Sequence, residues 1–202
     1  MNYKSNERSG AITYPAHGNI YLNITNRCTA ECTFCIREVS NGVYGYNLTL
    51  DYEPTVQEII KELENHNLKA YKEIVFTGFG EPLIRLDTVI EITKWLKKKG
   101  HTVRLDTNGH AKILYPTRNV PLELKEAGID AVSVSMNAES KEIYNRICRP
   151  YHPNAYDSML EFVKRSVKYG IKTRVTVVNM DEIDINACEM KAHELGAEFY
   201  VR

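Results

Sequence analysis

The chain alternates short runs of β-forming residues with amphipathic helical segments along its whole length. Six runs are rich in branched and aromatic residues and end at glycine, asparagine or other turn residues, which predicts strands. The runs are NIYLNIT (19–25), EIVFTG (73–78), TVRLDTN (102–108), AVSVSMN (131–137), TRVTVV (173–178) and EFYVR (198–202). Repeated strand–helix units predict an α/β fold with a parallel sheet and right-handed crossovers.

Helical patterns fill the segments between these runs, and several open with a capping residue or a proline. The predicted helices begin near Pro54, Asp87, Pro121, Ser140, Asn154 and Asp181. The residues TVQE at 55–58 resemble a capping box. Four helices end in a glycine just before the next strand, where left-handed backbone is expected. These are Gly100, Gly128, Gly170 and Gly196.

Polar residues occupy one side-chain parity of four predicted strands, which distinguishes a barrel from an open, doubly wound sheet buried on both faces. In the run at 102–108, for example, Arg104, Asp106 and Asn108 alternate with Val103 and Leu105. If the apolar parity packs under the helices, the polar parity lines a concave interior. A closed eight-stranded barrel has an apolar interior and typically needs about 250 residues.

Six strands and a polar interior therefore predict a partial, laterally open (βα)6 TIM-like barrel of parallel strands. The 202 residues suit one domain. We expect an N-terminal extension over residues 1–17 and the partial barrel over residues 18–202.

Charge and hydropathy exclude several classes of protein. Lys and Arg number 26 and Asp and Glu number 26, so the formal net charge is zero. A balanced charge makes nucleic-acid binding and non-specific membrane binding unlikely. No apolar run approaches membrane-spanning length and the N-terminus lacks the apolar stretch of a signal peptide, so we predict a cytoplasmic protein.

Three of the five cysteines lie within ten residues, in NRCTAECTFC at 26–35. In a reducing compartment this spacing indicates metal ligation or catalysis rather than a disulfide framework. Structural zinc normally has four ligands, whereas a [4Fe–4S] cluster with three cysteine ligands leaves one iron open to another molecule. No fourth cysteine or histidine stands near Cys28, Cys32 and Cys35, so the incomplete set indicates a substrate or cofactor at an open iron.

The cysteine spacing C-x3-C-x2-C, with Phe34 before the last cysteine, resembles the signature of radical S-adenosylmethionine (radical SAM) enzymes. TGFGEP at 77–82 is similar to the glycine–glutamate–proline motif of that family. DTNG at 106–109 and SVSMN at 133–137 resemble its cofactor-contacting strand ends, and the resemblance covers essentially the whole chain. More narrowly, YLNITNRCTAECTFCIRE at 21–38 resembles the TatD-nuclease-associated radical SAM subfamily.

The resemblance implies two cofactors, a [4Fe–4S] cluster bound by Cys28, Cys32 and Cys35, and S-adenosylmethionine on the fourth iron. Reductive cleavage would give methionine and a 5′-deoxyadenosyl radical that abstracts hydrogen from a substrate. The electron would come from a low-potential donor such as flavodoxin or ferredoxin. Contacts to S-adenosylmethionine are assigned by resemblance to Phe34, Gly78, Gly80, Glu81, Pro82, Asn108, Ser135, Asn137 and Val178.

Other readings of the same residues stay open. The protein could be an activase that makes a glycyl radical on a partner, or a non-catalytic iron–sulfur or zinc module for electron transfer or interaction. Asp106 with Arg104 could be a structural pair. Buried packing is the simplest reading of Cys148 and Cys188, although Cys148 could reach the sheet rim in a redox or hydrogen-donor role.

The substrate is not identified by the sequence, but arginines hint at its charge. Arg104 and Arg174 lie on the inward parity of their strands, and further arginines follow the fourth strand. A guanidinium binds carboxylate and phosphate groups well, so these arginines indicate either an anionic substrate or contact with the methionine carboxylate of S-adenosylmethionine. The further arginines, which lie beyond the fourth predicted strand, are Arg146 and Arg149.

Overall fold

Nine strands and seven α-helices follow one another in the computed structural model, which describes residues 10–202. The strands are β1 (Thr13–Ala16), β2 (Asn19–Asn23), β3 (Gly42–Val43), β4 (Tyr46–Asn47), β5 (Ile74–Thr77), β6 (Val103–Thr107), β7 (Ala131–Ser135), β8 (Lys172–Val177) and β9 (Glu198–Val201). The helices are α1 (Val56–Glu64), α2 (Leu86–Lys98), α3 (Ala111–Leu114), α4 (Val120–Ala127), α5 (Lys141–Cys148), α6 (Ala155–Lys168) and α7 (Ile185–Glu194). Short 3-10 helices cover Ile36–Glu38, Leu68–Ala70 and Pro82–Arg85.

The main sheet has seven strands in the order β1-β2-β5-β6-β7-β8-β9. Its six parallel strands are the six that the sequence predicts, and the sheet does not close on itself, as expected for a partial barrel. The remaining strand, β1, pairs antiparallel with β2 and comes from the predicted N-terminal extension. Residues 1–9 of that extension lie outside the described residues. The carboxyl ends of the six parallel strands therefore meet at one rim.

Helix boundaries follow the local sequence closely. Thr55 and Glu58 form the predicted capping box at the start of α1. All four predicted helix-ending glycines have positive φ, between 69° and 101°. The predicted start of the last helix at Asp181 is wrong, because the side chain of Asp184 caps α7 at the N–H of Ala187. The short helix α3 and the β3–β4 hairpin were not predicted.

The two parities of the strands separate as predicted. On β6, Val103 and Leu105 are fully buried under the helices, whereas Arg104 and Asp106 are partly exposed on the other face. We call that second face of the sheet the concave interior. Among residues 10–202, no helix has the length and apolar character needed to cross a membrane.

Candidate active site

The cysteine loop, residues 26–35, follows β2 and carries three thiols at the carboxyl rim of the sheet. Cys28, Cys32 and Cys35 are each half-buried, and none forms a disulfide. Backbone hydrogen bonds fix the loop to residues 147–151 at the end of α5. The bonds join Glu31 to Arg149, Thr33 to Ile147 and Tyr151 to Thr29.

The loop forms one wall of an open cavity of about 390 Å³, a volume typical of small-molecule sites. All three cysteines line this cavity, and so do eight of the nine predicted cofactor contacts. The eight are Phe34, Gly78, Gly80, Glu81, Asn108, Ser135, Asn137 and Val178. The ninth, Pro82, is buried at the start of a 3-10 helix and does not line the cavity.

The loop after β5 needs glycine for packing reasons that the sequence did not reveal. Gly78 has a φ of 107°, and a β-carbon there would collide with Asn23 on β2. At Gly80 a β-carbon would collide with the carbonyl oxygens of Thr25 and Arg27. We predicted these glycines because a cofactor must approach the backbone. The structure gives an additional cause, which is the close contact between this loop and the chain that leads into the cysteine loop.

Glu81 joins two strand ends. Its Oε1 accepts hydrogen bonds from the N–H of Leu83 at 2.9 Å and from the hydroxyl of Thr107 at 2.7 Å. Its Oε2 accepts one from the N–H of Asn108 at 2.7 Å. Burial raises the pKa of Glu81 to about 7, against the effect of these hydrogen bonds. The carboxylate thus holds the end of β6 against the loop after β5, a structural role that the sequence analysis did not assign.

Two side chains point N–H donors at the cysteine sulfurs. Arg37 donates from Nε to Sγ of Cys35 at 3.4 Å, and its Nη1 donates to the carbonyl of Asn26 at 2.8 Å. Asn108 places Nδ2 at 3.8 Å from Sγ of Cys28. Burial raises the pKa of the Cys28 thiol to about 11, and a bound metal would favour its thiolate form. The sequence analysis missed Arg37 because its motif ends at the last cysteine.

Cys148 is buried, as predicted, and it also lines the cavity. Interaction with the neighbouring Cys32 thiol raises the pKa of Cys148 and lowers the pKa of Cys32. The amide of Asn137 lies 3.9 Å from the Cys148 sulfur. The redox or hydrogen-donor role of Cys148 stays a prediction. Cys188 is fully buried in α7 and does not line the cavity.

A chain of hydrogen bonds connects Thr29 of the cysteine loop to buried side chains of the protein. The Nδ1 atom of His110 lies 2.7 Å from Oγ1 of Thr29, and its Nε2 atom lies 2.7 Å from the hydroxyl of Tyr144. Asn108 donates to the same Thr29 hydroxyl at 2.8 Å. Burial lowers the pKa of His110 to about 4, so the imidazole is neutral near pH 7. Sequence reasoning missed His110 and Tyr144, since neither belongs to a recognisable motif.

The predicted arginines have different surroundings. Arg104 forms ion pairs with Glu73 and Asp106, so the predicted pair is present. Asp106 also lines the cavity, and its role there stays a prediction. Arg146 and Arg149 are exposed and do not line the cavity, so their predicted contact with a substrate there is not supported. Arg202, which the sequence analysis did not select, does line it.

The donor set fits a cluster better than a single ion. Within residues 10–202 no three His, Cys, Asp or Glu side chains are grouped so that they could hold one metal ion. In a [4Fe–4S] cluster each cysteine binds a different iron, so the thiols need not converge on one point. Structural zinc requires four ligands around one ion. Three thiols along one cavity wall, with N–H donors aimed at two of them, match the cluster.

Known proteins support this assignment. The chain matches the family model described as the radical SAM superfamily over residues 22–191. It is 30% identical over 154 residues to a probable GTP 3′,8-cyclase of Saccharolobus islandicus (strain L.S.2.15 / Lassen #1), covering 76% of this chain and 44% of that protein. A GTP 3′,8-cyclase of Lactiplantibacillus plantarum is 29% identical over 196 residues, covering 91% of this chain and 53% of that protein. The chain thus spans about half the length of these relatives.

Solved structures agree on the fold. Streptococcus suis SuiB bound to its precursor peptide SuiA superposes with a TM-score of 0.70 at 14% identity, covering 90% of this chain and 38% of that one. TYW1 with a lysine-pyruvate adduct bound gives a TM-score of 0.63 at 16% identity, covering 92% of this chain and 65% of that one. The fold likeness extends beyond the cysteine loop, and the family match spans most of the chain. The chain belongs to the radical SAM superfamily.

Proposed function

We propose that the protein is a radical SAM enzyme in which Cys28, Cys32 and Cys35 bind the [4Fe–4S] cluster of this family. The observation that carries the proposal is the cavity of about 390 Å³, where these three thiols, the loop after β5 and the polar ends of β6 and β7 meet. Residues that are far apart in sequence thereby form one site at the rim where α/β barrels carry their chemistry.

With S-adenosylmethionine bound and one electron supplied by the donor, the cluster held by Cys28, Cys32 and Cys35 would supply the radical chemistry that removes hydrogen from a substrate. The residues of the cavity bind and orient S-adenosylmethionine. Gly78 and Gly80 keep backbone carbonyl groups accessible as acceptors for an ammonium group. Phe34 packs against an adenine ring, with Val178 at the end of β8 on the same cavity. Ser135 and Asn137 offer a hydroxyl and an amide to the polar parts of the cofactor.

Arg37 and Asn108 act on the cysteine sulfurs. Hydrogen bonds to thiolate ligands stabilise the more negative, reduced form of an iron–sulfur cluster and so raise its reduction potential. A low-potential donor such as flavodoxin or ferredoxin would supply the electron. The reducing cytoplasm is the compartment that suits five unpaired cysteines. The substrate is not identified, and GTP is named only for the relatives.

The test is anaerobic reconstitution with iron and sulfide, reduction with dithionite, and chromatography for 5′-deoxyadenosine. We expect about four irons per chain and formation of 5′-deoxyadenosine that depends on S-adenosylmethionine. Cys32→Ala should lose both. The matched control is Cys188→Ala, which removes a buried thiol of α7 outside the cavity and should retain both.

Other outcomes identify the alternatives. Zinc without iron in the purified protein would favour a metal-dependent interaction module. Iron in the absence of any nucleoside cleavage would favour an electron carrier. Cleavage that is unchanged in Cys32→Ala would show that the ligand assignment is wrong. Glycyl radical formation on a partner, detected by electron paramagnetic resonance, would identify an activase.

A further inference from the structure

Three arginines extend into the concave interior, Arg104 from β6, Arg174 from β8 and Arg202 directly after β9. The cofactor cavity lies at the carboxyl ends of these strands, and Arg202 is one of the residues that line it. Arg104 and Arg174 are partly buried there, whereas Arg202 is exposed at the edge of the cavity. A partly buried guanidinium is costly unless anions or hydrogen-bond acceptors face it.

Arg104 has its counter-charges within the protein. Its Nε lies 3.0 Å from Glu73 and its Nη1 lies 2.6 Å from Asp106. Its side chain is 11% exposed, so both ion pairs are shielded from solvent on the arginine side. These contacts explain Arg104 as part of the fold.

The direct hydrogen-bond partner of Arg174 is neutral, and the carboxylate of Asp106 acts on it only at longer range. Its Nε and Nη2 both lie 3.3 Å from the hydroxyl of Ser133, and its guanidinium lies 5.3 Å from the centre of the Tyr200 ring. Glu198 is the cross-strand neighbour of Arg174, but its carboxylate pairs with Lys172 instead.

Arg202 is in the same situation. Its Nη2 donates to the hydroxyl of Ser135 at 3.3 Å and to Oδ1 of Asn137 at 3.2 Å. Across residues 10–202, neither Arg202 nor Arg174 forms an ion pair with a carboxylate. These contacts orient each guanidinium without neutralising it.

The charge balance of this region is positive. Lys172 and Glu198 cancel, which leaves three guanidiniums against the carboxylates of Glu73 and Asp106. Desolvation lowers the pKa of Arg202, and the like charge of Arg174 adds to this effect, whereas Asp106 and Cys32 oppose it. Arg202 therefore lies within electrostatic reach of both the second guanidinium and the cysteine loop.

We propose that the substrate carries a carboxylate or phosphate group, and that Arg174 and Arg202 bind this group in the concave interior beside the cofactor cavity. The guanidinium matches both anions by its planar set of N–H donors. This inference rests on the proposed function, because it takes the cavity as the place where substrate hydrogen is abstracted. Arg174 and Arg202 would then be specificity-determining residues.

The test uses the anaerobically reconstituted holoenzyme, first without S-adenosylmethionine and then with a saturating concentration of it, so that competition with the cofactor can be observed. Isothermal titration calorimetry measures the binding of inorganic phosphate and of succinate, with succinamide as the uncharged analogue of succinate. We expect one of the two anions to bind with a Kd of about 1 mM or tighter and succinamide not to bind. The anion that binds distinguishes a phosphate from a carboxylate substrate.

Variants locate the binding. Arg174→Met and Arg202→Met should each weaken anion binding about tenfold or more, and the lysine variants should lose less because they keep the charge. Arg165→Met is the matched control, since Arg165 pairs with Glu161 on α6, and it should bind as the wild type does. If circular dichroism shows that a methionine variant does not fold, the corresponding lysine variant replaces it. The salt dependence of anion binding in that variant then tests whether the position contributes to binding.

Three results would overturn the inference. They are binding of neither anion to the wild type, unchanged anion binding in folded Arg174 and Arg202 variants, and anion binding that S-adenosylmethionine abolishes by competition. The last would mean that the arginines serve the cofactor or the cluster. Failure of the proposed function is separate, because it appears as a wild-type protein that forms no 5′-deoxyadenosine whatever its anion binding.

Discussion

At the scale of single residues, the surroundings of the cysteine sulfurs matter as much as the cysteines. Arg37 lies two residues beyond the motif and still contacts Cys35, because the short 3-10 helix Ile36–Glu38 turns the chain back over the loop. A donor at 3.4 Å from a ligand sulfur is positioned to tune a cluster without binding iron.

Arg37→Met should therefore lower the reduction potential of the cluster. Losing a hydrogen bond to a thiolate costs about 1 kcal/mol, which corresponds to about 40 mV for one electron. The measurement is a redox titration followed by electron paramagnetic resonance. Arg149→Met is the matched control, because it removes an exposed guanidinium near Cys32 that makes no sulfur hydrogen bond. Equal shifts of the reduction potential in both variants would mean that the loss of a nearby positive charge, and not the loss of the hydrogen bond, causes the effect.

Glu81 predicts a pH dependence of stability. Its pKa is about 7 in the folded protein against the ordinary value of 4.5, so the folded state holds a proton that the unfolded state has released between these values. The stability contributed by this proton is complete below pH 4.5 and is lost as the pH rises through 7. The total loss is on the order of 3 kcal/mol.

The measurement is urea unfolding of cluster-free wild type and Glu81→Gln at several pH values from 5 to 8. A glutamine side chain cannot accept hydrogen bonds from all three donors, so the variant is less stable at every pH measured. The informative quantity is therefore how the difference in free energy of unfolding between wild type and variant changes with pH. The stability difference in favour of the wild type should shrink as the pH rises. A difference that stays constant would contradict the raised pKa.

At the scale of elements, glycine is required for two different reasons, which Gly80 in the loop after β5 and Gly100 after α2 illustrate. Gly80 has ordinary backbone but no space for a β-carbon beside the carbonyl groups of Thr25 and Arg27. Gly100 has a φ of 80° at the end of α2 and open space around it. The first glycine is required by contact and the second by conformation.

Gly100→Ala should destabilise the protein by about 1 kcal/mol, the cost of a left-handed alanine. Gly80→Ala should cost more, about 2–3 kcal/mol, because two backbone segments must move apart. The measurement is the midpoint of thermal unfolding, with iron content after reconstitution as a second readout. Only Gly80→Ala should also lower iron content, since it displaces the chain that leads to Cys28. Equal effects on both readouts would exclude this packing role.

Elements with a strong local signal could be predicted, and those fixed by distant contacts could not. Polar and apolar residues alternate in four of the six parallel strands, and Thr55 and Glu58 have the spacing of a capping box. The β3–β4 hairpin and α3 are too short for periodicity to appear. The chain of Thr29, His110 and Tyr144 depends on residues far apart in sequence that the barrel brings together.

The cysteine spacing and the family resemblance indicated the cofactors and their contact residues, and strand parity indicated the polar face of the sheet. Pro82 was the exception, because the residue after Glu81 turns into a 3-10 helix and is buried. The narrower resemblance to the TatD-nuclease-associated subfamily stays a prediction. Arg202 was missed because the surplus of positive charge appears only when the strands from β6 to β9 are assembled in one sheet.

At the scale of the whole molecule, the open barrel links binding to stability. The cavity is lined from the cysteine loop, the loop after β5 and the ends of β6, β7 and β8, so a molecule bound there contacts most of the sheet. A ligand that binds only the folded protein raises the free energy of unfolding, by about 2.7 kcal/mol at one hundred times its Kd. For a chain of this size that corresponds to a rise in Tm of about 5–10 °C.

S-adenosylmethionine should produce this rise in the reconstituted wild type, measured by circular dichroism at a fixed scan rate under anaerobic conditions. Cys28→Ala should lose the rise, because the cofactor is anchored through the cluster that this thiol helps to bind. Cys188→Ala should show a lower starting Tm, from a cavity in the core, but an undiminished rise. If Cys28→Ala keeps the full rise, the nucleoside binds independently of the cysteine loop. The shared cavity would then be a coincidence of the fold rather than one site.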